Sequence, residues 1–177
     1  GLELLNFYKA YRAMVRAKVS AMLASEQAGV ADFSASLGYL RLAWQLAQPR
    51  RPALLLMHGV SGSGKTWWSQ HLLEQLGGLR LRSDVTRKRL FGLHPLQDSS
   101  TIPGGIYSRD AGARTLAALL DEATAALAAG FPVIVDATFL HRSWRAPFQA
   151  LAEALQLDWC IVALTAPPEL LRARILQ

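Results

Sequence analysis

Apolar residues recur every three or four positions over two stretches at the start of the chain. Leu4, Phe7, Tyr8, Tyr11, Met14, Val15 and Met22 mark one side of a helix over residues 4–23. Phe33, Leu37, Leu40 and Trp44 do the same over about 32–47, with Gly38 inside the run and Gly29 breaking the pattern before it. The pattern predicts an antiparallel helical hairpin whose apolar side needs another surface to cover it. Pro49-Arg50-Arg51-Pro52 makes a stiff, non-helical connector. A boundary therefore falls at 49–52, between a helical segment, 1–48, and a second unit, 53–177.

Beyond the connector the period changes. Residues 53–57 are a short apolar run with strand character, and 67–76 read as a helix with Leu72, Leu73 and Leu76 on one face. Gly77-Gly78 stops it. Leu79-Arg80-Leu81-Arg82 alternates like a half-exposed strand, and 85–91 looks helical. Residues 92–108 are rich in Pro, Gly and Ser and have no period. A helix over 110–129 buries Leu116, Leu119, Leu120, Ala123 and Leu127 and closes at Gly130. Val133-Ile134-Val135 is a buried β-branched strand ending at Asp136. A helix within 141–157 takes Pro147 in its first turn, 159–165 is a fourth strand, and Pro167-Pro168-Glu169 opens a helix running to Gln177. The alternation predicts an α/β three-layer fold, with a parallel sheet and helices on both faces, preceded by the helical hairpin. In such sheets ligands bind beyond the carboxyl ends of the strands. Three points of the chain meet there: the loop after the first strand, Asp84 after the second and Asp136 after the third.

That loop carries the strongest chemistry. Gly59-Val60-Ser61-Gly62-Ser63-Gly64-Lys65-Thr66 fits G-x-x-x-x-G-K-[ST], the phosphate-binding P-loop, in the strand–loop–helix context the motif requires. Gly59, Gly62 and Gly64 let the backbone turn its N–H groups onto phosphate oxygens, with Ser61 and Ser63 between them. The following helix aims its positive end at the same place. Lys65 would reach the β- and γ-phosphates, and the Thr66 hydroxyl would ligate Mg²⁺. The fold expected is thus that of a P-loop NTPase, with a nucleotide's phosphates and Mg²⁺ as its ligands. No Asn-Lys-x-Asp guanine-reading motif is present. Asp84, expected at the end of the strand beside the P-loop, could accept the proton of an incoming hydroxyl, or it could merely N-cap the next helix. Arg87, one turn on, could stabilise charge on a transferring phosphoryl group. Trp67-Trp68 is read as packing against neighbouring helices, with stacking on a base or substrate as the alternative.

Composition narrows this further. The chain has 177 residues, 51% of them hydrophobic, and 19 basic against 13 acidic side chains give a net charge of +6. A basic excess suits nucleic acid or phosphate but also fits an ordinary solvated surface. Lys9, Arg12 and Arg16 form one such stripe on the first helix. No apolar run approaches the roughly 20 residues of a membrane span, and no secretory signal is visible. The lone Cys160 is read as buried, and a reducing cytoplasm is the expected location. His58, at the end of the first strand, is read as structural, and His71, His94 and His141 have no metal-ligand spacing. The start at Gly1 rather than Met suggests a cut chain or tag remnant.

Gly59 to Thr66, then Arg82-Ser83-Asp84-Val85-Thr86-Arg87, then Val133-Ile134-Val135-Asp136-Ala137-Thr138 resemble the polynucleotide-kinase branch of P-loop kinases. That resemblance implies transfer of the γ-phosphate of ATP to a hydroxyl, on a small molecule or a nucleic-acid 5′ end. It gives Asp84 the role of general base and Arg87 that of substrate or transition-state contact. It sets Asp136 and Thr138 near substrate and metal, Asp136 being alternatively a Walker-B-like Mg²⁺ partner through water. With Phe7-Tyr8-Lys9-Ala10-Tyr11-Arg12 and Val15-Arg16-Ala17-Lys18 ahead of it, the whole is similar to a bacterial two-part family. In that family an aminoglycoside-phosphotransferase-like domain precedes an ATP-binding kinase-like domain often labelled an AAA-type ATPase. The resemblance implies that 1–48 are the last helices of such an upstream domain. Related kinases carry an arginine-bearing lid and a fifth strand after the fourth, so the chain is expected to stop short of both. Arg172 and Arg174 lie at that threshold, as clamp residues or as a solvated helix face. The alternatives to a kinase are a non-catalytic ATP-binding regulatory module and a simple ATPase within a larger protein.

Overall fold

The computed structural model describes residues 1–26, 31–48, 51–94, 96–97 and 106–175. Gly29, Pro49 and Arg50 of the connector, most of the 92–108 loop and Gln177 lie outside the described residues. The chain divides into two compact units, Gly1–Arg50 and Arg51–Gln177.

In the first unit a single 3₁₀ turn leads into α1 (Leu5–Glu26), and α2 (Ser34–Ala47) follows. Ser36 on α2 donates its hydroxyl to the Ala17 carbonyl at 2.9 Å, while Leu42 and Leu46 share a groove with Lys9 and Ala13. The helices therefore run antiparallel. Their seam is built from small residues: Ala13, Ala17 and Ala24 on α1 face Ser36 and Ala43 on α2, all buried. The large apolar residues that mark the expected uncovered side face outward; Phe7 is 64% exposed and Trp44 70%. Alanine lets the two backbones approach closely, and that approach turns the bulky side chains away from the contact.

The second unit alternates strand and helix: β1 (Ala53–His58), α3 (Lys65–Leu76), β2 (Leu79–Arg82), α4 (Ser83–Leu90), α5 (Arg109–Ala128), β3 (Val133–Asp136), α6 (Arg142–Ala154), β4 (Asp158–Ala163) and α7 (Pro168–Ile175). The four strands are parallel, in the order β2-β3-β1-β4, with helices on both sides. The expected parallel sheet is present, but β2 is not beside β1. The β1–α3–β2 crossover leaves one strand position open, and β3 fills it. Register lines up the carboxyl ends, since Asp136 pairs with Met57 on one side and with Arg82 on the other.

The core lies where Leu54, Leu56, Val133 and Val135 meet Leu119, Ala123 and Leu127 of α5 and Phe148 of α6. Ser108 caps α5, its hydroxyl accepting from the Ala111 N–H at 3.2 Å. Two expectations need correction here. Helix α6 begins at Arg142, so Pro147 sits inside it rather than in its first turn, and removes the donor that would serve the Ser143 carbonyl. Cys160 is exposed rather than buried, because β4 is an edge strand bonded only to β1 and no described element covers that side chain. Among the described residues no helix is long and apolar enough to cross a membrane.

Candidate functional site

Six residues, 59–64, connect β1 to α3. Gly59 has φ +148°, and a Cβ added there would lie 2.5 Å from the Leu164 carbonyl oxygen and 2.7 Å from Ser63 Oγ. Only glycine fits this corner. The Gly59 N–H donates to the Thr138 carbonyl at 3.2 Å, tying the loop to the turn after β3. Gly64, left-handed at φ +91°, opens α3 and directs its first N–H groups toward the loop's concave side. Lys65 is 9% exposed and folds back over the loop, its Nζ donating to the Val60 carbonyl at 2.8 Å. Burial holds the Lys65 pKa below the usual lysine value, against the opposing pull of the Asp136 charge.

Asp136, the last residue of β3, is 6% exposed and accepts from Ser69 Oγ at 3.0 Å. Ser69 is wholly buried one turn into α3. Arg80 on β2 donates to Ser69 Oγ at 3.3 Å and to the Thr66 carbonyl at 3.2 Å. Three elements are thus cross-tied behind the loop. On the far side of Asp136 the chain turns at Phe139, which has φ +46° and is fully buried edge-on against Phe148 at 5.2 Å. Its carbonyl accepts from His58 Nδ1 at 3.1 Å and from the Arg145 guanidinium. The anchored ring fixes the segment that carries Asp136 and Thr138.

Helix α4 starts at Ser83, so Asp84 lies in the first turn and is not its N-cap, contrary to the alternative reading of that carboxylate. The Asp84 side chain is 53% exposed, and Arg82 grips both of its oxygens, Nη2 to Oδ2 at 2.6 Å and Nε to Oδ1 at 3.2 Å. Arg87 lies 5.0 Å over the Tyr107 ring, and its Nε is buried without a hydrogen-bond partner among the described residues.

One cleft of about 550 Å³ gathers most of the residues singled out from the sequence. Ser61, Gly62, Gly64, Lys65 and Thr66 line one side, and Asp84, Asp136 and Thr138 line the rest. Gly59 shapes the loop from behind. Arg87 does not reach this cleft; it borders a small adjoining cavity with Ser83, Thr138 and Trp144. Ser63 faces a second cleft, with Oγ buried and unpartnered among the described residues. Sequence reasoning passed over Ser69, whose hydroxyl reaches Asp136 far along the chain, and Arg80, which ties β2 back to α3. It left Arg174 as one of two open choices; Arg174 Nη1 in fact donates to the Gly62 carbonyl at 2.9 Å. Trp67 and Trp68 are 57% and 47% exposed, so the expected burial against neighbouring helices is not what the described residues have.

A family profile described as "AAA domain" matches residues 54–177. The uncharacterized protein Rv2004c of Mycobacterium tuberculosis strain H37Rv is 31% identical over 151 residues, which is 85% of this chain. The chain spans only 30% of that relative's length. Among solved structures, a candidate kinase of Chloroflexus aurantiacus is 25% identical, with a TM-score of 0.58 over 72% of this chain and 65% of that one. The APS kinase CysC of Mycobacterium tuberculosis, in complex with AMPPNP and APS, is 23% identical, with a TM-score of 0.54 over 71% of this chain and 69% of that one. The fold is that of a P-loop kinase.

Proposed function

The chain belongs to the AAA domain family, and we propose that it is an ATP- and Mg²⁺-dependent phosphotransferase moving the γ-phosphate of ATP to a hydroxyl. The observation that carries this reading is the single cleft in which a P-loop, a buried carboxylate and a more exposed carboxylate converge. A nucleotide-binding module needs no base at the position of Asp84. The residues fit the ligands. The Gly59 corner admits no side chain, the N–H groups opening α3 serve phosphate oxygens, and Lys65 Nζ already holds a carbonyl that a phosphate would replace. Thr66 would hold Mg²⁺, with Asp136 either backing the metal through water or facing the substrate beside Thr138. Mg²⁺ supplies charge neutralisation at the terminal phosphates.

Asp84 then takes the proton from the acceptor hydroxyl. In the geometry described, Arg82 donates once to each Asp84 oxygen, which orients the carboxylate and leaves each oxygen a second lone pair for the acceptor's proton. Arg87, with its unpartnered Nε beside Thr138, contacts the acceptor or the charge developing on the transferred group. The acceptor is a small molecule or a nucleic-acid 5′ end. Residues 1–48 are proposed to close an upstream phosphotransferase-like domain. Their outward apolar side chains and the short share of the relatives that this chain spans support that. The Arg82–Asp84 pair also favours a second reading, a nucleotide-binding regulatory module in which Asp84 never acts as a base.

Transfer from γ-labelled ATP tests the proposal, with a 5′-hydroxyl oligonucleotide, a metabolite extract and buffer alone as acceptors. Label on an acceptor supports the kinase and names its substrate class. Phosphate release in buffer alone points to a simple ATPase. Bound ATP with neither outcome points to the regulatory module.

A further inference from the structure

The indole rings of Trp67 and Trp68 stand in the first turn of α3, immediately beyond Thr66. They meet edge to face, with centroids 5.0 Å apart and planes at 88°. Trp67 also lies against the His71 ring at 3.8 Å, and His71 Nδ1 sits 3.1 Å from the Trp67 carbonyl. The pair is therefore held in place although about half of each residue is open to solvent. Large aromatic side chains fixed and exposed beside a polar cleft are uncommon unless something stacks on them.

Beside the rings lies a second cleft of about 450 Å³, within the usual size range of ligand sites. Its other wall is the turn at 165–167 together with Leu170 and Arg174 of α7. Gly64, Trp67 and Arg174 line this cleft and the phosphate cleft alike, so the two are immediate neighbours. Apart from Arg174 and the indole N–H groups of the two tryptophans, its polar side chains are the hydroxyls of Ser63 and Thr165; among the described residues no amide or carboxylate side chain lines it.

We infer that this cleft receives the base of the donor nucleotide, with Trp67 and Trp68 as its stacking platform, and that it recognises the base by stacking rather than by its hydrogen-bonding edge. The inference rests on the phosphate-loop reading above. A nucleotide whose phosphates lie along Gly64 to Thr66 leads its sugar and base past Trp67, and the cleft on the other side of that residue is where the path goes. Stacking grows with ring area and is indifferent to edge pattern, because every base has a π-face. The site should therefore prefer purines over pyrimidines and discriminate little between adenine and guanine.

Calorimetric titration of the whole chain with Mg²⁺ and ATP, GTP, CTP or inorganic triphosphate tests this. ATP and GTP should bind within about threefold of each other, CTP more weakly, and triphosphate at least about tenfold more weakly than ATP, the scale of one stacked base. Trp67→Ala/Trp68→Ala should bring ATP down to within a few-fold of triphosphate and leave triphosphate unchanged. Trp67→Phe should fall between. Tryptophan fluorescence should respond to ATP and not to triphosphate. Equal wild-type affinities for ATP and triphosphate, or full ATP affinity in the double variant, would overturn the base subsite while the phosphate reading stands; the rings would then cover polypeptide. ATP favoured over GTP by more than about thirtyfold would overturn recognition by stacking. If triphosphate and ATP both fail to bind, the phosphate reading fails and this inference with it.

Discussion

Lys65 shows how burial turns one side chain into a pH-dependent element. Its pKa is lowered in the folded chain because it is desolvated, so the unfolded chain holds that proton more tightly. Between the folded and unfolded values the unfolded chain binds more protons, and the Lys65 contribution to stability therefore rises with pH. Phosphate binding has the opposite sign, since it needs the ammonium form. ATP affinity should fall with rising pH before an ordinary lysine would titrate, and Lys65→Arg, charged throughout, should flatten that fall in the same titrations. Ser69 is the second residue-scale case. Ser69→Ala leaves the buried Asp136 carboxylate without its 3.0 Å donor. A loss of about 1.5–3 kcal/mol in urea unfolding is expected, the range for hydrogen bonds to charged groups. Lys65, Thr66 and Asp136 were legible because the loop motif and the strand ends mark them. Ser69 was not, because a hydrogen bond spanning 67 residues leaves no local pattern, and Arg80 was not, because its bonds to α3 depend on how helix and strand pack.

Among the elements, period predicted existence well and contact poorly. The helices and strands of the second unit begin and end close to where their apolar spacing and glycines put them. The hairpin seam was illegible for a physical reason: Ala13, Ala17 and Ala43 carry almost no hydrophobic signal, while Phe7 and Trp44 carry most of it and face outward. Ala17→Leu should accordingly overpack the seam and cost about 1–3 kcal/mol, whereas Phe7→Ser should change stability by less than about 0.5 kcal/mol. Thermal unfolding of the two variants compares them directly; the reverse ranking would mean that the large residues form the contact. The β3–α6 turn makes a sharper case. Phe139 is wholly buried and packs edge-on against Phe148. Phe139→Ala should cost about 3–5 kcal/mol and also weaken ATP binding, because the segment holding Asp136 and Thr138 loses its anchor.

At the scale of the whole molecule, alternation of strand and helix fixed a parallel sheet but not the order of its strands. Nothing local distinguishes a crossover to the adjacent position from one that skips it, and the skip moves Asp84 one strand further from the loop. The cleft nevertheless closes around Asp84, because the register of β2 and β3 brings Arg82 level with Asp136. The division into two units carries its own expectation: residues 51–177 alone should bind ATP as tightly as the whole chain, since every residue of the phosphate cleft belongs to that unit. The central claim is that the cleft transfers phosphate rather than only holding it. The most direct measurement sets ATP affinity beside label transfer in the wild-type chain and in Asp84→Asn, once an acceptor is found. Affinity unchanged and transfer reduced by at least about a hundredfold, the scale of losing a general base, is the result predicted. Transfer unchanged in Asp84→Asn would contradict the account and return Asp84 to its pairing with Arg82.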